Sequence, residues 1–252
     1  LMSLLPVVNS FASFLTARAN EQIYNNCTEN TKIIYICLYA GILPAGAGKS
    51  HQSLRDISLL SNIPNLKIFH PSNASEAKKI LHYCINKAKY TCAIRLNLGP
   101  PISENFKIID KKFSAGEGKV LSNGKKIALI TYGQTMTSVA YKVNKLLIKK
   151  NIEIKIINFP SLNFFKKKWL YQNLKKINHI IFLEDHFSKG GLADLMTTFI
   201  MNEKIFTNMS FDKLSIKDFP ACGTPNEVLK YHRLDEVSIF KKIKNLYEDK
   251  NR

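Results

Sequence analysis

SFASFLTARANEQIYNN (residues 10–26), YAGILPAGAGKSHQSLRDISLLSNIPNLKIFHPSNASEA (39–77) and AIRLNL (93–98) follow one another in the first part of the chain, and their order decides its fold. Between the first two lies Ile33–Leu38, an unbroken apolar run. Such a run is expected of a strand covered on both faces, as in a parallel sheet. Gly41–Gly48, rich in Gly and Ala, then forms a loop. Open parallel sheets gather ligands outside the carboxyl ends of their strands. The loop therefore falls where a site belongs, and His51 opens the element after it. A tight turn with a capping residue explains the same composition equally well.

Working outward, Leu54, Ile57, Leu59 and Leu60 give His51–Ser61 a helical pattern. Asn65–Phe69 reads as a strand. Pro71-Ser72-Asn73 starts a helix with Glu76 in its first turn and Lys78, Lys79 and Lys87 later, a polarity that suits capping and the helix dipole. Tyr90–Leu96 is a third strand. Gly99-Pro100-Pro101 interrupts the pattern, and the segment to about Lys112 reads as a polar linker. A second alternation follows. Strands are expected at Lys126–Tyr132, Ile152–Asn158 and His179–Leu183, with an edge strand at Lys213–Ile216. Helices are expected at Gln134–Lys150, Lys166–Lys176, Gly190–Met201, Glu227–Leu229 and Leu234–Tyr247. Alternating strands and helices mean an α/β fold. Two three-layer α/β domains with mainly parallel sheets are expected, the first truncated at its N-terminus. Their bounds are 1–104 and 118–252, joined by a linker at 105–117.

At 252 residues with 45% hydrophobic content, the chain can bury a substantial core. Its net charge of +18 would suit an anionic partner. The lysines are scattered along the whole chain and do not interleave with aromatics in a nucleic-acid motif, so solvated surfaces explain them and no nucleic-acid partner is expected. The five cysteines lack CxxC or metal-ligand spacing; Cys37 and Cys92 sit in apolar runs and read as small buried hydrophobes. Their odd number and the lack of a secretory signal point to a reducing cytoplasm. Leu1–Ala17 has no basic leader and contains Pro6 and Asn9, and Ile33–Ala47 is too short to span a bilayer, so no membrane segment is expected.

General catalytic motifs are missing: the sequence has no GxGxxG, no P-loop and no HExxH. Ser50 and His51 are neighbours, but adjacency alone does not make a nucleophile–base pair, and no GxSxG elbow supports one. Glu184-Asp185-His186 carries metal-capable side chains. As consecutive residues at a strand end they point in different directions, which favours a surface or interface role over a metal site.

The early block retains Ser10-Phe11, Phe14-Leu15-Thr16, Arg18-Ala19, Glu21-Gln22, Ala40-Gly41, Gly48, Ser50-His51-Gln52, Asp56-Ile57, Pro64-Asn65, Pro71, Glu76 and Arg95. This set resembles the transketolase pattern SFAxFLTxRAxEQIRN, then HAGxxxGEDGxSHQxxEDIAxxRxxPNxxVxxPxDxxE, then an arginine after a strand. The later runs SNGKKIALITYG, INFPSLNF, FLEDHFSKGGLADL and KDFPACGTPNEVL resemble that family's C-terminal domain. The resemblance spans nearly the whole chain. It implies the end of a thiamine-diphosphate pyrimidine domain followed by a C-terminal domain used chiefly for folding and subunit contact.

The resemblance also implies roles. Phe14, supported by Phe11, would hold the cofactor's aminopyrimidine ring, which an aromatic face suits. From spacing alone, both Phe could simply lie on the apolar side of a helix. His51 would lie near the thiazolium and substrate as the catalytic residue. Arg95 would bind a sugar phosphate, for which a guanidinium is well shaped; a slightly later register puts Leu98 in its place and loses the contact. Thiamine diphosphate with a divalent metal (Mg) is the implied cofactor, its diphosphate held by a GDG-type motif in an N-terminal section that this sequence does not contain. The implied partner is that section or subunit, in a dimer or heterotetramer, and the implied substrate is a phosphorylated sugar.

Several departures bear on activity. The family's catalytic glutamate belongs upstream of Ser10, and Glu21 matches a different position. Tyr39 replaces the histidine of HAG. Ala45-Gly46-Ala47-Gly48 replaces GEDG, so Ala47 stands where a carboxylate contacts a substrate hydroxyl, and alanine can neither hydrogen-bond nor ionise. Ala193 replaces the last glycine of GGLG. The leading expectation is the C-terminal section of a transketolase-like transferase moving a two-carbon ketol unit. The alternatives are a degenerate paralogue or fragment acting as a structural subunit, and a relative of 2-oxoacid dehydrogenase β-subunits or deoxyxylulose-phosphate synthases.

Overall fold

The computed structural model describes residues 4–98 and 112–249. Most of the linker expected at 105–117 lies outside the described residues. In the first domain, β1 (Val7–Phe11), α1 (Ala12–Arg18), α2 (Asn20–Thr28), β2 (Ile34–Leu38), α3 (Asp56–Ser61), β3 (Leu66–Phe69), α4 (Ala74–Asn86) and β4 (Thr91–Leu96) follow in order. The sheet runs β1-β2-β4-β3 and is parallel throughout.

Strand periodicity sorts its side chains onto two faces. Tyr35, Cys37, Leu66, Ile68 and Ala93 meet Ala12, Leu15, Ile23, Ile57 and Leu60 from α1, α2 and α3. Ile34, Phe69, Cys92 and Ile94 meet Ile80 and Cys84 of α4 on the other side. Two covered faces explain the continuous apolar run of β2. Cys37 and Cys92 are fully buried free thiols. The helix expected from His51 begins only at Asp56, because residues 40–53 are drawn into bridges between Ser53 and Ala40 and Gly41. The segment read as merely apolar before Ala17 contains β1, and α2 follows it.

The second domain consists of β5 (Lys119–Ser122), β6 (Lys126–Thr131), α5 (Gln134–Ile148), β7 (Lys155–Asn158), α6 (Lys167–Leu174), β8 (Ile177–Phe187), α7 (Leu192–Asn202), β9 (Ser210–Ile216), α8 (Pro225–Tyr231) and α9 (Glu236–Asp249). Its sheet runs β5-β7-β6-β8-β9, with only the β5–β7 pair antiparallel. Ile127, Leu129, Ile181 and Leu183 face α5, α8 and α9. Ala128, Ile130, Ile180 and Phe182 face α6 and α7, in the same apolar cluster that holds α1 and α3 of the first domain. One core therefore crosses between the domains.

Polar links reinforce that seam. His70 N–H donates to Pro160 O at 2.9 Å and Leu162 N–H to Ile68 O at 2.9 Å. Asn158 Nδ2 donates to both Glu76 carboxylate oxygens, at 3.1 and 3.0 Å. Glu76 also accepts from the Ser72 backbone and hydroxyl, so the start of α4 is tied to β7.

Candidate cofactor and substrate site

Four rings meet at the carboxyl ends of β1 and β2. Phe11 ends β1 and serves as the N-cap residue of α1, and Phe14 lies one turn on. Tyr39 follows β2 in a left-handed conformation, φ 58°. Phe11 and Tyr39 stack with centroids 4.4 Å apart, and Phe14 meets His51 edge-on at 5.0 Å. All four are half-buried. Arg18 lies over the Phe14 ring at 4.5 Å. The structure thus brings together Phe11, Phe14 and His51, which are more than a helical stripe: Phe11 belongs to a strand end. Ser50 Oγ lies 3.2 Å from His51 Nδ1 on the exposed side.

Arg95 does not join this group, and its expected contact with a phosphate is corrected here. Its side chain is fully buried. Nε donates to Asp56 Oδ2 at 2.7 Å and Nη2 to Asp56 Oδ1 at 3.1 Å, while Nη1 donates to His70 Nδ1 at 2.8 Å. Burial opposes the charged guanidinium, but Asp56, then Tyr132 and Asp185, outweigh it and hold the pKa above the ordinary arginine value. A guanidinium with three of its donors engaged inside the protein has no face for a ligand. Leu98, the position in the later register, is 52% exposed.

This ion pair orients the site from below. A guanidinium can only donate, so His70 accepts at Nδ1 and carries its proton on Nε2. Nε2–H then donates to Asn97 Oδ1 at 2.7 Å, and Asn97 Nδ2 donates to Ala40 O at 2.7 Å. Burial and the neighbouring Arg95 keep the His70 pKa well below 6.5, consistent with this neutral tautomer. The chain of bonds ends at the residue after Tyr39. Gly133, φ +68°, admits the His70 ring: a Cβ there would lie 2.6 Å from its Cε1.

The second domain shapes the same turn. Glu184, Asp185 and His186 are at most 1% exposed and lie inside β8, so the surface role expected for them is corrected. They lie in the seam between the domains. Asp185 Oδ1 is 3.9 Å from Arg95 Nη1, and a Cβ at Gly41 (φ +87°) would fall 2.6 Å from Asp185 Cγ. Only glycine lets the turn after β2 approach so closely. Burial lifts Asp185 to about 7 against the pull of Arg95, and lifts Glu184 to about 8. Burial also lowers His186 to about 4. Phe187 N–H donates to Leu54 O, and Gln52 Nε2 donates to Ile42 O and Ala221 O, which pin the loop carrying His51 from both ends. His70, Asn97, Gly133 and Asp185 were not singled out as site residues. They act on the site only through contacts between distant parts of the chain, which no local spacing reports.

A half-buried aromatic cluster at strand ends suits the flat heterocycle of a thiamine cofactor, with Phe14, Phe11 and His51 as the side chains that would hold it. The metal–diphosphate end has no such fit: among the described residues no group of three His, Cys, Asp or Glu side chains could hold a metal ion. Nor is any described helix long and apolar enough to cross a membrane.

Comparisons with known proteins agree with this geometry. Residues 1–98 match the transketolase pyrimidine binding domain, and residues 116–239 match the transketolase C-terminal domain. One of the two subunits of an apulose-4-phosphate transketolase from Actinobacillus succinogenes is 28% identical over 229 residues, 90% of this chain and 72% of that protein. The 1-deoxy-D-xylulose-5-phosphate synthase of Clostridium tetani is 28% identical over 244 residues, 96% of this chain but 38% of that protein. Among solved structures, a split-gene transketolase in an inactive β4 tetramer superimposes with a TM-score of 0.83 at 24% identity, covering 96% of this chain and 76% of that one. A transketolase from Pichia stipitis gives 0.72 at 14% identity, covering 94% of this chain and 33% of that one. With both of its domains matched, the chain belongs to the transketolase family.

Proposed function

We propose that this chain is the C-terminal subunit of a transketolase-like transferase that moves a two-carbon ketol unit between phosphorylated sugars. A separate N-terminal section would supply the metal–diphosphate site. The observation that carries this reading is the meeting of Phe11, Phe14 and His51 at the carboxyl ends of β1 and β2. Phe14 would hold the aminopyrimidine, and His51 would sit beside the reacting atoms as a proton donor or acceptor. When bound, thiamine diphosphate supplies the carbanion chemistry that protein side chains lack. The apulose-4-phosphate transketolase relative is itself a subunit and is matched over most of its length, which supports a split arrangement.

A second reading, a structural subunit without turnover, is favoured by one feature. Tyr39 stacks on Phe11 and covers a ring face that a cofactor would otherwise meet. Ala47, exposed on the loop, offers no polar group in place of the family carboxylate. The deciding experiment combines the chain with a GDG-containing transketolase N-terminal subunit, thiamine diphosphate and Mg²⁺. Ketose phosphates and 2-oxoacids are then assayed separately. Ketol transfer that needs both chains, and falls at least tenfold with Phe14→Ala, supports the first reading. A stable complex with no turnover of either substrate supports the second, and turnover confined to 2-oxoacids moves the chain to that branch of the family.

A further inference from the structure

Arginine is scarce in this chain, five residues against 32 lysines. Arg95 is sealed in the seam, but Arg18, ending α1, and Arg55, the N-cap residue of α3, both line a cavity of about 490 Å³ together with Lys49. None of the side chains lining it is acidic. Among the described residues none of these three cations forms an ion pair.

The wall behind them is polar and incompletely satisfied. Ser13 Oγ, Gln52 Oε1 and Ser53 Oγ are buried without a hydrogen-bond partner. Gln52 and Ser53 are 6% and 1% exposed. Both hydrogen bonds from Gln52 Nε2 go to backbone carbonyls, so its Oε1 is fixed as a free acceptor. Buried polar atoms are normally paired, and exceptions call for an occupant. Phe14 from the first domain and Phe219 from the second, 81% exposed, add apolar surface.

We propose that this cavity, built by both domains, is a binding site for a small phosphomonoester bearing hydroxyl groups. The planar forks of Arg18 and Arg55 match phosphate oxygens, and Lys49 adds a point charge. The hydroxyls of Ser13 and Ser53 donate to the ligand, and a ligand hydroxyl donates to Gln52 Oε1. Only Phe14 is shared with the aromatic cluster, so the site stands whether or not the chain supports ketol transfer.

Calorimetric titration of the intact chain at low salt tests this, with glycerol 3-phosphate, inorganic phosphate and uncharged glycerol as probes. Saturable binding of glycerol 3-phosphate, tighter than inorganic phosphate and absent for glycerol, is expected. Arg18→Gln/Arg55→Gln should weaken it at least tenfold, whereas Lys89→Gln/Lys241→Gln, which removes the same charge elsewhere on the surface, should leave it unchanged. Circular dichroism checks that the variants fold. If the arginine variant does not, Lys49→Gln on the exposed loop carries the test with a loss of at least threefold. An equal loss in the control pair would reduce the effect to net charge and overturn the site. So would glycerol 3-phosphate failing to bind, or a glutamate-rich peptide binding where it does not.

Discussion

At the scale of single residues, burial decides what a charged side chain can do. Arg95 occupies a family position that suggests ligand contact, yet its guanidinium is enclosed with Asp56 at 0% exposure for both side chains. Removing one partner of such a pair leaves an uncompensated charge in the interior, which costs roughly 3–5 kcal/mol. Arg95→Ala is accordingly expected to lower unfolding stability in urea by about that amount. A loss below about 1 kcal/mol would return Arg95 to the list of ligand contacts. The sequence showed that an arginine follows a strand, but not that His70 and Asp56 would close around it. By contrast, the meeting of Phe11, Phe14 and His51 was legible, because strand ends and the loop after β2 converge in any parallel sheet of this kind.

At the scale of elements, the helix expected to open after Pro71 illustrates a signal that local chemistry does carry. Asn73 Oδ1 accepts from Glu76 N–H at 2.8 Å and caps α4, as Asn at this position is suited to do. Asn73→Ala should cost about 1 kcal/mol in the same unfolding measurement. A change within a few tenths would mean that the Ser72–Glu76 and Asn158–Glu76 bonds hold the helix start by themselves. The helix expected from His51 fared differently. Its apolar spacing is real, but residues 51–53 are held by Gly41, Ile42 and Ala221, so the helix begins five residues late. The misreading of Glu184-Asp185-His186 has a similar origin: β8 runs on to Phe187, and what lies over its end is the first domain.

At the scale of the molecule, the seam holds several groups with displaced proton affinities, so stability should depend on pH. Burial raises Glu184 to about 8 and Asp185 to about 7, and it lowers His186 to about 4 and His70 well below 6.5. A carboxyl whose pKa is raised on folding stabilises below its unfolded value and loses that contribution as pH rises through its folded value. A lowered histidine does the reverse, gaining stability up to about 6.5. The two effects oppose each other between about pH 4 and 6.5, and only the carboxyls act above it. Stability should therefore fall from pH 6.5 to 8, by at most about 1.4 kcal/mol per group per pH unit. At about 2–4 °C per kcal/mol for a chain of this size, the drop is readable as Tm. Thermal unfolding at both pH values should show it in the wild type and show much less of it in Glu184→Gln/Asp185→Asn. Equal declines in the two proteins would place the titrating groups elsewhere.

What the sequence determined by itself is the material of short-range physics. Strand and helix periods, the two-faced burial of β2, the cap of α4 and the placing of a glycine-rich turn beyond a strand end all depend on neighbours within a few residues. The tertiary structure alone decided which polar groups became buried and with whom. Asp56, His70, Arg95, Gly133 and Asp185 come from both domains, and the strength and direction of their interactions depend on the water their packing excludes. Exclusion of water is a property of apposed surfaces, and no stretch of the chain read alone contains the surface that will lie against it.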